Sequence, residues 1–427
     1  MIEILVAYRV SGKNIVSVSC VACAMFLLST IIYVASDDYY GYEISWKSVV
    51  AITILLFCII LGELFGSKIV FRRVIIKKNI FERYEMVSVN TVICILFSIF
   101  ILFVSVYYFI DVFLFSLKVG NTSGSIWNMA TYVRHANLDS SIVYEKNTII
   151  SQGTLISSCL VYFSIYCFFY NRIYFGVNQT RFILPVVTYI PQILASDSRT
   201  GLLNSICVIC IIIFVLIKDH NNWVSKDNRK VIRIAFFSII VFLALFRLLG
   251  YRTGASVSNA LWDNLVEYTS AGIVGFDYFM IEGRTPSEHF GSLTLKEIYK
   301  KFEKIGIISG YTKTGRAGHG KFFFYARGHS NIYTAFMSYI DDYSFVGAMF
   351  AFFLWGVSIT YLLKSVKKGN ISFTRVCILG VLFYPVAMIS IGDVTSTVLS
   401  MSSIYMIIYL KLIELVFFKR KLILSNK

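Results

Sequence analysis

Proline and charged residues are scarce in this chain, and each scarcity excludes a class of protein. With 4 prolines in 427 residues it has no proline-rich linker. Only 15% of its residues are charged whereas 57% are hydrophobic, and its mean hydropathy is +0.71. A soluble domain has no room to bury that much apolar surface. The composition therefore predicts a polytopic membrane protein, with residues 1–427 forming one integral domain.

The signatures of several enzyme classes are also missing. The sequence has no complete P-loop, no HExxH, no Rossmann glycine fingerprint and no Gly-x-Ser-x-Gly elbow. All nine cysteines fall within predicted spans, so no disulfide framework is expected. The pairs Cys20/Cys23 and Cys207/Cys210 have a spacing that can bind zinc, but they lack histidine or charged neighbours. We therefore expect no metal site and no cofactor.

Long hydrophobic runs are what the chain does contain. A bilayer core about 30 Å thick needs roughly 20 apolar residues per helix. Ten runs are candidates: 15–35, 48–66, 90–112, 149–170, 182–196, 201–217, 233–250, 338–363, 376–392 and 396–417. The sequence therefore predicts an all-α protein with about ten transmembrane helices.

The basic residues predict the orientation of these spans, because Lys and Arg are retained in cytoplasmic connections. With the N-terminus inside, 24 of the 40 basic residues lie in cytoplasmic segments. We therefore expect both termini in the cytoplasm and the long polar segment 251–335, called the insert below, on the outer face. Short basic connections beside span ends explain the net charge of +16, so nucleic-acid binding is rejected.

The insert is predicted to contain two helices and a loop. Ser258 to Ile281 has apolar residues near helical spacing, which predicts an amphipathic helix that lies on or dips into the membrane. Leu293 to Ile305 predicts a short helix whose four lysines indicate a solvated face or a headgroup contact. Gly306 to Gly328 is rich in glycines and aromatic residues, which predicts an irregular loop.

Arginines concentrate on the outer face, where the orientation rule predicts few. Arg199 lies in a very short turn between two spans, Arg247 and Arg252 lie at the outer end of the seventh span, and Arg316 lies in the insert. A guanidinium beside a helix N-terminus can bind an anion. The alternative is a helix cap with arginines that reach the headgroups. The concentration favours a phosphate-rich or carboxylate ligand.

The strongest local cluster runs from Arg327 through His329 and Asn331 to Asp341. It combines a cation, an imidazole, an amide and a carboxylate. His329 is a candidate general base, because imidazole is the side chain that titrates nearest to neutral pH. The alternative is a solvated histidine beside an Asn/Ser helix cap.

Together these features resemble the O-antigen and oligosaccharide repeat-unit polymerases, the Wzy-type integral membrane glycosyltransferases. The resemblance covers most of the chain and rests on the ten spans, the late external loop rich in Arg and Gly, and two short motifs. The motifs are the Ser-Arg-Thr-Gly turn at 198–201 and a segment that contains Asn331, Tyr333, Thr334, Asp342 and Gly347. It implies a GT-C-like fold in the bacterial inner membrane with a periplasmic active site.

The resemblance also implies the reaction and the roles of residues. A growing glycan would move from undecaprenyl pyrophosphate onto the terminal sugar of a second lipid-linked repeat unit. Arginines would replace the metal as pyrophosphate ligands: Arg199, Arg247, Arg252 and Arg316. Arg327, His329 and acids such as Asp341, Glu267 or Asp277 would serve catalysis. Candidate sugar ligands are Tyr251, Trp262, Tyr311, Tyr325 and Asn331. A chain-length regulator is a candidate partner beside the lipid bilayer.

Two alternatives stay open at this point. An O-antigen ligase has a similar architecture and moves the same donor glycan onto a lipid A core sugar. A transporter or flippase of lipid-linked oligosaccharides is the second alternative. It is opposed by the lack of paired broken spans in two matching halves and by the long external loop.

Overall fold

The computed structural model describes residues 2–69, 86–126, 128–139, 144, 146–195, 199–224, 261–283, 290–311, 322–367 and 371–419. Within these ranges the chain is mostly helical, and seven helices are long and apolar enough to cross a membrane. With elements numbered in chain order, they are α2 Val18–Ala35, α4 Trp46–Lys68, α5 Thr91–Lys118, α7 Thr148–Phe175, α10 Arg199–His220, α13 Ala335–Lys367 and α16 Met401–Glu414 with the π-helical turn Leu415–Lys419. They fit a polytopic helical membrane protein.

The remaining elements are shorter or lie outside these spans. They are α1 Ile2–Val10, α3 Asp37–Tyr40, α6 Met129–Asp139, the 3-10 turn Thr180–Phe182, α8 Ile183–Thr188, α9 Ile190–Ala195, α11 Leu261–Glu282, α12 Lys296–Lys304, β1 Phe323–Tyr325, β2 Gly328–Ser330, α14 Phe373–Ala387 and α15 Thr395–Val398. The predicted spans at 182–196 and 376–392 coincide with the shorter apolar helices Thr180–Ala195 and Phe373–Ala387. The span predicted at 233–250 lies outside the described residues.

Contacts divide the chain into two compact units. The first unit comprises Met1–Arg72, Ala260–Lys368 and Val381–Ile404, and the second unit comprises Arg73–Asn259, Gly369–Gly380 and Tyr405–Lys427. The single integral domain expected from the sequence stays a prediction, and each unit is described on its own below.

Close packing of α4 against α13 holds the first unit together. Gly62 and Gly66 are four residues apart on α4, and both face the backbone of α13. A Cβ at Gly62 would overlap the Phe353 carbonyl, one at Gly66 would lie 2.8 Å from the Val357 carbonyl oxygen, and one at Gly356 would lie 2.5 Å from that of Ile59. Small residues at this spacing let two membrane helices approach closely.

Helix α13 consists of two parts that meet at Ser344. Ser344 has φ 66° and ψ 171°, a conformation that non-glycine residues rarely adopt. Before it, residues 335–342 are all buried. After it, the helix exposes an apolar stripe at Val346, Phe350 and Leu354. The second part, 345–367, is about 34 Å long at 1.5 Å per residue, which is enough to cross a bilayer core.

Helix α11 confirms the helix predicted at 258–281 over its described residues, and its position on or within the membrane stays a prediction. Residues 269–277 are buried on every side, so protein encloses this part of the helix. A Cβ at Gly272 would overlap the Ser390 carbonyl, and one at Gly275 would overlap that of Ile332. Polar residues of this helix meet partners within the first unit, such as Ser270 with Tyr40 and Asp277 with Tyr42.

A short β-hairpin replaces part of the loop that we predicted to be irregular. Strands β1 and β2 are antiparallel, with Phe324 opposite His329 and Tyr325 opposite Gly328. The backbone N–H of Ala326, in the connecting turn, donates to the Tyr40 carbonyl oxygen at 2.9 Å. The hairpin is therefore tied to the C-terminal end of α3.

In the second unit, α7 and α10 run parallel. The Tyr162 hydroxyl lies 3.4 Å from the Ser205 hydroxyl, and further along both helices Tyr174 donates to an Asp219 carboxylate oxygen at 2.6 Å. From the first pair to the second, the residue number increases along both helices, so the two helices end on the same side of the second unit.

Candidate functional site

Three tyrosines from two distant chain segments form an aromatic cluster in the first unit. Tyr39 and Tyr40 belong to α3, and Tyr325 ends β1. The Tyr325 ring centroid lies 5.5 Å from that of Tyr39 and 5.0 Å from that of Tyr40, and the two α3 rings are 5.2 Å apart. These separations are typical of favourable aromatic pairs. We call Tyr39, Tyr40 and Tyr325 the tyrosine cluster.

Local backbone geometry sets the position of this cluster. Gly41 ends α3 in the left-handed region, with φ 53°, which turns the chain after Tyr40. A Cβ at Gly41 would lie 3.0 Å from Ala326 Cβ, so the turn also allows the hairpin to approach. The Tyr40 hydroxyl lies 3.1 Å from both the Val266 carbonyl oxygen and the Ser270 hydroxyl, which docks α3 on α11.

Charged side chains of both signs influence the phenols of the tyrosine cluster. Asp263 and Glu267 are one helical turn apart on α11, and their negative charges raise the pKa of Tyr39. The positive charge of Arg327, which is exposed in the hairpin turn, lowers the pKa of Tyr39. Glu267 also acts on Tyr325. We call these three charged residues and the tyrosine cluster the candidate site.

Burial keeps the phenols of the candidate site protonated. Burial raises the pKa of Tyr325 above its usual range, and the hydrogen bond with Tyr39 and the charge of Glu267 raise it further. Burial likewise raises the pKa of Tyr39, against an opposing hydrogen bond from Tyr325. Both phenols are therefore neutral at physiological pH. The candidate site offers hydroxyl donors, carboxylate acceptors, ring faces and a guanidinium, which are groups that suit a polar ligand with an anionic part.

His329 is exposed on β2 beside this site. Its ring centroid lies 5.0 Å from that of Phe322 and 5.8 Å from that of Phe324, so aromatic rings fix one side of the imidazole. Asn331, which follows β2, is exposed, and Trp262 in the first turn of α11 is 50% exposed. These three predicted site residues are accessible to a ligand.

Two predicted site residues are enclosed by protein. Tyr311 is 2% exposed, its ring stacks on Tyr299 at 5.0 Å, and its hydroxyl donates to the Ser292 carbonyl oxygen at 2.5 Å. Its ring faces are thus covered, which corrects its assignment as a surface for sugars. Asp341 is 1% exposed in the first turns of α13, so burial separates it from solvent.

Asp277 was an alternative proton acceptor, and its contacts give it a structural role instead. This buried carboxylate on α11 accepts from the Tyr42 hydroxyl at 2.6 Å and from the Ser45 backbone N–H at 3.0 Å, and the Ser45 hydroxyl also donates to it. Its oxygens are occupied, and they tie α11 to the segment before α4.

The binding of one anionic ligand by several arginines remains a prediction. Arg199 begins α10 in the second unit, and its side chain is not among those that the structure describes. Three further predicted pyrophosphate ligands fall outside the described ranges: Arg247, Arg252 and Arg316. The predicted sugar ligand Tyr251 also lies outside them. Among the predicted site arginines, Arg327, which was assigned to catalysis, is therefore the one whose surroundings the structure describes.

Sequence reasoning missed Tyr39 and Tyr40. Both tyrosines lie in the segment between the first two predicted spans, and none of the candidate site residues came from that segment. The available signal was the Asp-Asp-Tyr-Tyr run after the first span. That pattern also fits interfacial anchoring, and the pairing with Tyr325 depends on contacts across nearly three hundred residues.

No protein-family model, curated protein or solved structure matches the chain. Among the described residues, no group of three or more His, Cys, Asp or Glu side chains is arranged to hold a metal ion. The function is therefore argued from the candidate site itself.

Proposed function

We propose that this protein is a bacterial polysaccharide polymerase of the O-antigen type. In this proposal it is a multi-pass, GT-C-like glycosyltransferase with about ten spans in the inner membrane, both termini in the cytoplasm and the active site on the periplasmic face. Its substrates are two lipid-linked oligosaccharides. The observation that carries the proposal is the exposed Arg327, whose charge acts on Tyr39 together with those of Asp263 and Glu267, next to an aromatic cluster on a unit that holds several spans.

The proposed reaction assigns a role to each kind of group. The acceptor sugar's hydroxyl oxygen attacks the anomeric carbon of the donor glycan, and the bond from that carbon to undecaprenyl pyrophosphate breaks. The departing pyrophosphate takes the negative charge, which Arg327 would stabilise together with Arg199, Arg247, Arg252 and Arg316. His329 or Glu267 would accept the hydroxyl proton.

Sugar recognition is proposed for the aromatic groups. The half-buried ring of Tyr325 would stack on a sugar face, and the buried Tyr39 would hold that ring in place through the contact between the two rings. Trp262 and Asn331 would contact the neighbouring sugar, and Tyr251 would add a further ring. A chain-length regulator would dock alongside in the bilayer.

Replacement of Arg327 tests this proposal directly. In cells that lack the chromosomal copy, we expect Arg327→Ala to reduce polymer by about 100-fold or more, the usual loss when one group that stabilises a developing anion is removed. Arg327→Lys should recover little, because a point charge lacks the planar two-donor fork. The readout is the ladder of glycan lengths on undecaprenyl pyrophosphate, with protein level measured in parallel.

Arg172→Ala is the matched control. Arg172 is an exposed arginine in the last turn of α7, on the side predicted to be cytoplasmic, so its loss should leave the ladder unchanged. A normal ladder from Arg327→Ala would contradict the proposal.

If the wild-type protein were needed only to join glycan to lipid A core, it would be a ligase. If it moved labelled lipid across liposomes without forming a glycosidic bond, it would be a transporter.

A further inference from the structure

Helix α12 presents a basic side and an apolar side, and the candidate site uses neither. Lys296, Lys300 and Lys304 follow one another at four-residue spacing, which places them along one side of the helix. Phe302 and Ile305 lie on the opposite side, where they are 39% and 65% exposed. This is the pattern of a helix that lies in a membrane interface.

More apolar surface lies at both ends of α12. Phe290, before the helix, is 73% exposed, and Ile307, after it, is 64% exposed. A fourth lysine, Lys301, adjoins the basic side, and two glutamates, Glu297 and Glu303, leave the helix with a net charge of +2. Glu297 pairs with Lys300 at 2.9 Å, an exposed contact that water and salt weaken.

The start of α12 is fixed to the first part of α13. The Asp342 carboxylate accepts from the Leu293 backbone N–H at 3.1 Å, and from the Thr294 backbone N–H and hydroxyl at 2.8 Å each. The Tyr343 hydroxyl lies 2.6 Å from the Thr294 hydroxyl, and its ring centroid lies 4.9 Å from that of Phe290. The location of Asp342 and Tyr343 therefore sets the location of α12.

That location is the edge of the bilayer. The lipid-facing stripe of α13 starts at Val346, three residues after Tyr343, and the opposite end of the helix carries Lys364 and Lys367. The part from 345 to 367 already matches the thickness of a bilayer core, about 30 Å. Asp342 and Tyr343 then lie at the membrane boundary away from Lys364, which places α12 at the level of the headgroups.

We propose that α12, with Phe290 and Ile307 at its ends, lies on the bilayer surface and that its lysines bind the phosphates of anionic phospholipids. The exposed apolar side chains enter the headgroup region, and the basic side meets lipid of the opposite charge. This inference does not depend on the polymerase proposal, because it concerns the helix and the lipid alone.

A fluorescent label at Ile305→Cys tests the proposal in the full-length protein. All nine native cysteines are buried or half-buried, and the labelled wild-type protein gives the background. The protein is placed in nanodiscs of phosphatidylcholine, with or without phosphatidylglycerol, and quenching by brominated lipid tails is measured. We expect quenching to increase about twofold or more with phosphatidylglycerol.

Charge variants identify the lysines as the cause. Replacing Lys296, Lys300, Lys301 and Lys304 with Gln should abolish the increase, and Glu297→Gln with Glu303→Gln should enlarge it. Lys118→Gln, at an exposed lysine in the last turn of α5, should leave it unchanged. The proposal is overturned if an aqueous quencher reaches the label equally in both discs, as for a surface that contacts a protein, or if the four-lysine variant behaves like the wild type.

Discussion

Buried carboxylates connect separate segments of the first unit. Glu63, in α4, accepts from the Ser19 backbone N–H at 3.0 Å and from the Ser19 hydroxyl, and so caps the first turn of α2. Asp277 and Asp342 bind backbone N–H groups of other segments in the same way. A buried charge is tolerated when several donors satisfy it, and these donors come from residues far away in the sequence.

The Asp342 contacts predict a specific loss of stability. Asp342→Ala removes the acceptor of two buried backbone N–H groups and of the Thr294 hydroxyl, so it should lower the free energy of unfolding by about 3 kcal/mol. Asp342→Asn should recover little, because its amide NH₂ would face other donors. The measurement is thermal unfolding in detergent, together with amide exchange of residues 290–304.

Substitutions at Thr294 supply the matched series for this prediction. Thr294→Val removes one hydroxyl donor and should cost about 1 kcal/mol, whereas Thr294→Ser keeps the hydroxyl and should stay close to wild type. Unchanged amide exchange at Leu293 and Thr294 in Asp342→Ala would show that the carboxylate does not hold this turn.

At the scale of elements, the packing of α4 on α13 predicts a large effect of one methyl group. Gly62→Ala would push its Cβ into the Phe353 carbonyl, so we expect the free energy of unfolding to fall by about 3 kcal/mol. Gly201→Ala is the control, because a Cβ there meets no atom within 4 Å and alanine favours a helix. The readout is the fraction of monodisperse protein after heating. Equal melting of Gly62→Ala and wild type would contradict this packing.

The spans were predictable from the sequence because the bilayer imposes one strong rule, a long apolar helix. The hairpin was not predictable, because strands of three residues are too short to show an alternation of apolar and polar residues. The pairing of Phe324 with His329 depends on tertiary contacts. The helix at 261–282 was found, yet its burial was missed, since the partners that enclose Gly272 and Gly275 come from 390 and 332.

The same limit applies to the candidate site. Arg327 and Tyr325 could be selected from the sequence because they lie in the insert, a long segment that is rich in polar and aromatic residues and was predicted to be external. Tyr39 could not be selected, because its place in the site depends on the contact of α3 with the hairpin, which no local sequence pattern encodes. Tyr311 failed as a sugar ligand for the same reason, because its stacking on Tyr299 is visible only in the folded chain.

At the scale of the whole molecule, the number of crossings decides which loops share a face. Helices α7 and α10 are each long enough to cross, and they end side by side, with Tyr174 bonded to Asp219 at 2.6 Å and its ring 5.4 Å from that of His220. Two parallel spans require the chain between them to return across the bilayer. We therefore predict that the segment Thr180–Ala195 crosses, although its 16 residues cover only about 24 Å as a helix.

Labelling of single introduced cysteines with an impermeant maleimide in intact cells tests this crossing. His220→Cys should be shielded, as Arg172→Cys should be, because both exposed positions lie at the ends of parallel helices on the side rich in basic residues. Ser123→Cys and Asp38→Cys, at exposed positions in segments predicted to be external, should react, and permeabilised cells should label all four. If Thr180–Ala195 stayed on one side, His220→Cys and Arg172→Cys would differ in intact cells, and the parallel arrangement of α7 and α10 would be wrong. Shielding of both, with reaction at Ser123→Cys, would leave a return crossing as the arrangement that satisfies the Tyr174–Asp219 contact.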